Sequence, residues 1–132
     1  MTVLGRESTL AAQASECAAE QGQFWAYRDR LFAEQRGRDR GAFSTPNLKR
    51  FGADLGLDQG AFSACVENDL AAARVRAEVE EGRRKGVVGT PTLFVNGRKI
   101  EGVPSFEDLL HAIQTALVPP PSVLGDERAT PT

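Results

Sequence analysis

The stretch that decides the fold is "VVGTPTLFVNG", residues 87–97. Pro91 stands at the head of an apolar, β-branched run, a position where a strand tolerates proline although proline cannot donate to the ladder. Asn96-Gly97, between "TLFV" and "RKI", is the strongest short-range signal for a β-hairpin. The sequence therefore predicts two short strands that begin just after Pro91 and are joined by a two-residue turn.

The peptide bond before Pro91 has two plausible isomers. The cis form of an X-Pro bond costs only about 0.5–1 kcal/mol, so packing can fix it easily. A cis bond would turn the backbone of residues 88–90 outward and leave peptide groups unpaired, ready to accept an extended chain. The alternative is an ordinary trans proline at the start of a strand, and the residues alone leave both open.

Upstream of Gly86 the apolar residues recur with helical spacing. We expect helices within residues 5–22, 23–35 and 45–56, and one kinked helix or two within 57–86. Thr45 and Asp58 are the expected N-caps of the last two segments. The aromatic residues of the second segment are expected to be core residues: Phe24, Trp25 and Tyr27. Residues 2–4, "TVL", are a weak candidate for a strand.

A last helix is expected over residues 106–117, with Ser105 as its N-cap. The apolar residues of this helix are expected to line one face: Phe106, Leu109, Leu110, Ile113 and Leu117. Residues 118–132 are rich in proline and polar residues, which predicts a disordered tail. His111 is expected to be structural or exposed.

Composition excludes several functional classes. The chain has 132 residues, a length that fits one domain. Its net charge of -2 argues against a general nucleic-acid or anionic-membrane binder, which would show a basic excess. No apolar stretch approaches the ~18 residues that cross a bilayer. Two cysteines and one histidine are too few for a closed zinc site. We therefore predict no membrane span, no metal site and no cofactor.

The segment "GVVGTPTLFVNGRKIEGV", residues 86–103, resembles the C-terminal signature of DsbA-like thiol-disulfide oxidoreductases of the thioredoxin superfamily. Residues 11–35 and 43–69 resemble the helical insert of that family, in the same order. The resemblance implies a mainly helical α/β fold of the DsbA type, with a partial domain over residues 1–117. Residues 5–85 would be the helical insert, and residues 86–117 the cis-proline loop, hairpin and final helix.

The resemblance also implies a substrate-binding site and a structural disulfide. Val88, Gly89, Thr90 and Pro91 would form the loop that contacts cysteine-containing or extended polypeptides, with Pro91 as the cis-proline. Cys17 and Cys65 would form a second, structural disulfide in the helical insert, and two buried free thiols are the alternative. Such a bond would contribute on the order of 3–4 kcal/mol to stability.

One departure from the family is large, because no cysteine of this sequence has a partner at the C-x-x-C spacing. Exchange requires a thiolate with a lowered pKa, so we expect no catalytic residue in this chain and no activity of the chain alone. The expected function is that of a truncated piece of an oxidoreductase acting on protein cysteines. The alternatives are a redox-inactive peptide-binding module and a relative that uses the same fold on glutathione-linked molecules.

The incomplete sheet has a consequence for association. An uncovered strand edge and apolar patch invite pairing with another chain, so we expect a homodimer or an exchanged assembly. The N-terminus has no signal-peptide pattern. The resemblance suggests an extracytoplasmic location, the periplasm or cell envelope, for a full-length parent.

Overall fold

The computed structural model describes residues 5–117, apart from the side chains of residues 69 and 70. The predicted strand at residues 2–4 and the predicted tail at 118–132 lie outside this range. The elements in chain order are α1 (Arg6–Glu20), α2 (Phe24–Ala33), α3 (Thr45–Asp54), α4 (Gln59–Glu67), α5 (Asp69–Arg84), β1 (Thr92–Val95), β2 (Arg98–Glu101) and α6 (Phe106–Leu117). They form two compact units, the first ending at Gly86 and the second beginning at Val87.

Helix α1 is the centre of the first unit and contacts α2, α3, α4 and α5. Its inward face carries four small buried residues at helical spacing: Ala11, Ala14, Cys17 and Ala18. Small side chains let neighbouring helices approach closely on several sides. The largest side chains of this core come from the surrounding helices, namely Tyr27, Leu48, Phe51 and Phe62.

Tyr27 connects three of these helices. Its hydroxyl donates a hydrogen bond of 2.9 Å to the carbonyl of Leu48, and its ring lies 5.5 Å from that of Phe62. Burial raises the pKa of Tyr27, because the phenolate would lose its hydration. Trp25, which the sequence predicts to be buried, is 71% exposed. That prediction was wrong because residues two apart point to nearly opposite sides of a helix, and Tyr27 occupies the inward side.

The long segment 57–86 forms two helices, α4 and α5, rather than one kinked helix. Asp58 is the N-cap of α4, as predicted, and its Oδ1 accepts a hydrogen bond of 2.7 Å from the amide of Ala61. Helix α3 begins at Thr45, with Ser44 as the N-cap, so the predicted cap is one residue too late.

Cys17 and Cys65 form a disulfide bond that joins α1 to α4, with their Cα atoms 5.7 Å apart. Both cysteines are buried in the core of the first unit. The bond implied by the resemblance is therefore present, and the alternative of two free thiols is not observed. The cross-link connects segments that are 48 residues apart in the sequence, within one packed core.

The second unit begins with the predicted hairpin. Strand β1 pairs antiparallel with β2, from Val95↔Arg98 at the turn to Thr92↔Glu101 at the open end. Asn96 and Gly97 have φ values of 47° and 82°, as the mirror-image turn of a two-residue hairpin requires. Beyond the strands the pairing continues through a hydrogen bond of 2.9 Å from the amide of Gly102 to the carbonyl of Pro91.

Helix α6 is capped by Ser105, whose Oγ accepts a hydrogen bond of 3.0 Å from the amide of Asp108. Its covered face is formed by Ala112 and the half-buried Leu109 and Ala116. The remaining apolar residues of the predicted face are exposed: Phe106, Leu110, Ile113 and Leu117. The helix therefore keeps an exposed apolar stripe, as the incomplete sheet leads us to expect. Self-association through the exposed stripe stays a prediction.

We expect the disulfide to stabilise the folded chain substantially. The double variant C17A/C65A should lose on the order of 3–4 kcal/mol of unfolding free energy, because the unfolded chain regains the entropy that the cross-link removes. Urea unfolding followed by circular dichroism measures this change. Adding a reductant should destabilise the wild-type chain and leave the double variant unchanged. Equal stability of the oxidised wild type and the double variant would contradict this role.

Gly52 and Gly60 offer a test of packing with opposite expected signs. A Cβ at Gly52 would lie 2.8 Å and 2.9 Å from two ring atoms of Phe62, which is buried and cannot move away. Gly52→Ala should therefore cost about 1–3 kcal/mol. A Cβ at the exposed Gly60 would make only ordinary contact with Asp58, so Gly60→Ala should stabilise the chain by about 0.4–1 kcal/mol. Thermal unfolding of both variants checks the pair.

Candidate functional site

The candidate site is the loop of residues 88–91, which connects the first unit's last helix to β1. Val88, Gly89, Thr90 and Pro91 are all exposed, and the Val88 side chain is 80% exposed. The four residues line a shallow cavity of about 160 Å³ together with Thr92, Glu101 and Gly102. The structure thus brings the four predicted residues together at one open surface.

The Thr90–Pro91 peptide bond is cis. The residues alone left the cis and trans forms open, and the resemblance implied the cis form. The substrate-binding role that the resemblance gives to Thr90 and Pro91 stays a prediction.

Two hydrogen bonds tie this loop to the hairpin. The Thr92 hydroxyl donates to the Gly89 carbonyl at 2.7 Å, and the Gly102 amide donates to the Pro91 carbonyl at 2.9 Å. Across residues 5–117, no hydrogen bond reaches the backbone groups of Val88 or Thr90. The bonds at Gly89 and Pro91 flank Thr90, so the unbonded backbone groups lie on a segment that is anchored to the hairpin.

Few titratable groups lie at the loop. Among the described residues, Glu101 is the only titratable side chain that lines its cavity. Both cysteines lie in the first unit, buried and bonded to each other. No cluster of three or more His, Cys, Asp or Glu side chains suited to a metal ion occurs within the described range.

Sequence reasoning missed part of the cavity wall. Thr92, Glu101 and Gly102 were not predicted as site residues, although they line the same cavity. The hairpin register contained the signal, because a two-residue turn at Asn96-Gly97 places Thr92 opposite Glu101. His111, on α6, is exposed, as expected.

Comparisons with known proteins match most of the chain. A protein-family model described as Thioredoxin matches residues 2–115. The chain is 36% identical over 107 residues to Na(+)/H(+) antiporter NhaA 3 of Salinispora tropica, covering 81% of this chain and 16% of the antiporter. It is 37% identical over 93 residues to Na(+)/H(+) antiporter NhaA of Herminiimonas arsenicoxydans, covering 70% of this chain and 14% of that protein.

A third relative, Na(+)/H(+) antiporter NhaA 1 of Mycolicibacterium gilvum, is 31% identical over 106 residues, covering 79% of this chain and 16% of the antiporter. The chain thus spans about a sixth of the length of these relatives. Among the helices that the structure describes, none has the length and apolar character needed to cross a membrane.

The family match includes the loop, the hairpin, nearly all of α6 and both bonded cysteines. The observed architecture is a mainly helical α/β arrangement with a two-stranded antiparallel hairpin and a final helix. The chain therefore belongs to the thioredoxin family and has a thioredoxin-like fold.

Proposed function

We propose that this chain is the polypeptide-binding part of a DsbA-like thiol-disulfide oxidoreductase that acts on protein cysteines. The loop of residues 88–91 holds an extended segment of the substrate beside the hairpin. The observation that carries this proposal is the pair of exposed, unbonded backbone groups at Val88 and Thr90 on a loop that is itself held in place. The thioredoxin family match supports a redox type of fold.

Recognition at this loop uses the backbone of the substrate more than its sequence. An extended chain that lies along residues 88–90 exchanges hydrogen bonds with the N–H and C=O groups there, as in strand addition. The exposed Val88 side chain adds an apolar contact, and its burial contributes about 25 cal/mol per Å². Such binding accepts many sequences, which suits an enzyme that acts on varied protein substrates.

The exchange chemistry requires a dithiol that this chain does not contain. Exchange proceeds when a thiolate attacks one sulfur of a disulfide, forms a mixed disulfide and releases the other sulfur as a thiolate. Cys17 and Cys65 are unsuitable for this step because both are buried and joined to each other. In this proposal the attacking thiolate belongs to a C-x-x-C pair presented to the loop by another polypeptide segment.

The second candidate is a redox-inactive thioredoxin-like module that binds extended peptides. The observation that favours it is that neither of the two cysteines has a partner at the C-x-x-C spacing. Both candidates predict peptide binding at residues 88–91. They differ in whether a dithiol next to the loop exchanges disulfides with the bound peptide. The antiporter names of the relatives are not carried over to this chain, because the match includes only 14–16% of their length.

Two exposed valines provide a matched test of peptide binding. Val88 lines the loop cavity, whereas Val103 is 84% exposed and does not line it. Val88→Asp should weaken binding of an unstructured peptide about tenfold, because it replaces an apolar contact with a hydrated charge. Val103→Asp should leave the affinity unchanged. Isothermal titration with a ten-residue peptide measures both, and equal losses in the two variants would sink the assigned site.

The same titration separates backbone recognition from thiol chemistry. A peptide with serine in place of its cysteine should bind with unchanged affinity, since no thiolate of this chain is available to it. Peptide binding without exchange is common to both candidates, so the measurement that distinguishes them is peptide reduction in the presence of a separate C-x-x-C polypeptide. Acceleration of that reaction by this chain supports the oxidoreductase, and no acceleration supports the redox-inactive module.

We expect the 132-residue chain alone to be inactive in disulfide exchange. Reduction of insulin by dithiothreitol should proceed at the same rate with wild type, with C17A/C65A and with buffer, because the buried bond is shielded from attack. Turbidity of the released insulin B chain reports the rate. A wild-type rate clearly above that of the double variant would mean that Cys17 and Cys65 are redox-active, against the structural role described above.

A further inference from the structure

A second cavity lies in the first unit, away from the loop of residues 88–91. It has a volume of about 320 Å³ and lies between the end of α2, the following loop and α3. Three arginines line it, Arg36 and Arg40 from the loop and Arg50 from α3. Its other polar side chains are those of Glu34 and Asn47.

The charge inside this cavity is unbalanced. Among the described residues, Glu34 is the one carboxylate that lines it, and its oxygens lie 3.2 Å from Arg30 and 3.7 Å from Arg36. Neither Arg40 nor Arg50 has a carboxylate within 4.0 Å in the described part of the chain. The described lining thus contains three arginines and one carboxylate, an excess of two positive charges.

The loop that carries Arg40 is fixed by hydrogen bonds to its backbone. The Glu7 carboxylate accepts from the amides of Gly41 at 2.6 Å and Phe43 at 3.2 Å. The Asn47 amide group donates to the Gly41 carbonyl at 3.0 Å and to that of Ala42 at 3.3 Å. Glu7 and Asn47 therefore hold in place the backbone that follows Arg40.

The Asp39 carboxylate also binds the backbone, since its Oδ1 accepts a hydrogen bond of 3.0 Å from the amide of Glu7.

We propose that the cavity lined by Arg36, Arg40 and Arg50 binds a single phosphate-type oxyanion. Guanidinium groups match tetrahedral oxyanions because each one offers two parallel N–H donors. The oxyanion is either free phosphate or the phosphate group of a lipid.

The number of positive charges in the lining explains why the proposed ligand carries a single phosphate group. The chain has a net charge of -2 and so offers no overall positive field to a polyanion, whereas an excess of two positive charges in this lining suits one phosphate group. The three arginines are exposed, which makes the binding sensitive to salt, because exposed charges are screened within about 8 Å at physiological ionic strength.

Titration of the full chain with sodium phosphate at constant ionic strength tests this site. Nuclear magnetic resonance of ¹⁵N-labelled protein should show saturable shifts of the Arg36, Arg40 and Arg50 Nε–H signals. The variant R40Q/R50Q should bind phosphate at least tenfold more weakly, since two charge-assisted hydrogen-bonding groups are lost. The control R84Q/R98Q changes the charge equally at exposed positions outside the cavity and should keep wild-type affinity.

Cosedimentation with vesicles identifies the source of the phosphate. Binding to vesicles of phosphatidic acid in phosphatidylcholine, absent with phosphatidylcholine alone and lost in R40Q/R50Q, supports a lipid phosphate. Saturable binding of soluble phosphate without vesicle binding supports a free anion. Equal phosphate and vesicle binding by R40Q/R50Q and wild type, or shifts spread evenly over all arginines, would overturn the site. The wild-type shift map decides alone if circular dichroism shows that R40Q/R50Q is unfolded.

Discussion

The close packing of α1 against four other helices is the contact on which the first unit depends. It requires an inward face of alanine and cysteine, because larger side chains on α1 would separate helices that must each reach it. Aromatic residues from the surrounding helices then fill the remaining space, and the Tyr27 hydroxyl finds its partner on α3. The disulfide crosses this contact directly, since Cys17 belongs to the α1 face and Cys65 to α4.

The second unit depends on a different constraint, the two-residue turn at Asn96-Gly97. This turn sets the register of β1 and β2. The register in turn determines which residue of the second strand's end lies beside the loop at the open end of the hairpin. The hydrogen bond from the Gly102 amide to the Pro91 carbonyl extends the strand pairing into the loop. The turn at one end of the strands therefore influences the position of the loop at the other end. The loop proposed to bind peptides and the cavity proposed to bind an oxyanion therefore belong to separate units.

Much of this arrangement could be predicted from local sequence signals. The hairpin, the Asp58 and Ser105 caps and the helices α1, α2, α3 and α6 follow from short-range chemistry that the residues themselves contain, whereas periodicity left open whether residues 57–86 form one helix or two. Apolarity alone did not predict burial at Trp25, which is apolar and exposed. Which apolar face is covered depends on what packs against it, and periodicity does not contain that information.

The loop of residues 88–91 and the arginine-lined cavity also differ in how far the sequence predicts their residues. Residues 88–91 are contiguous, so a resemblance could point to all four, whereas Thr92, Glu101 and Gly102 join them only through the hairpin register. The oxyanion cavity escaped sequence reasoning because Arg36 and Arg40 look balanced by nearby acids along the chain. The structure shows those acids engaged with other partners: Asp39 accepts a hydrogen bond from the amide of Glu7, and Glu34 is shared with Arg30.

The disulfide has a consequence for how the chain responds to proteases. The exposed loop between α2 and α3 contains Arg36, Arg38 and Arg40, and it lies between the two bonded cysteines. Cleavage by trypsin in this loop breaks the backbone between the two bonded cysteines. The two fragments therefore stay attached through the Cys17–Cys65 disulfide. The nicked chain would therefore migrate as one species on a gel without reductant and as two with it.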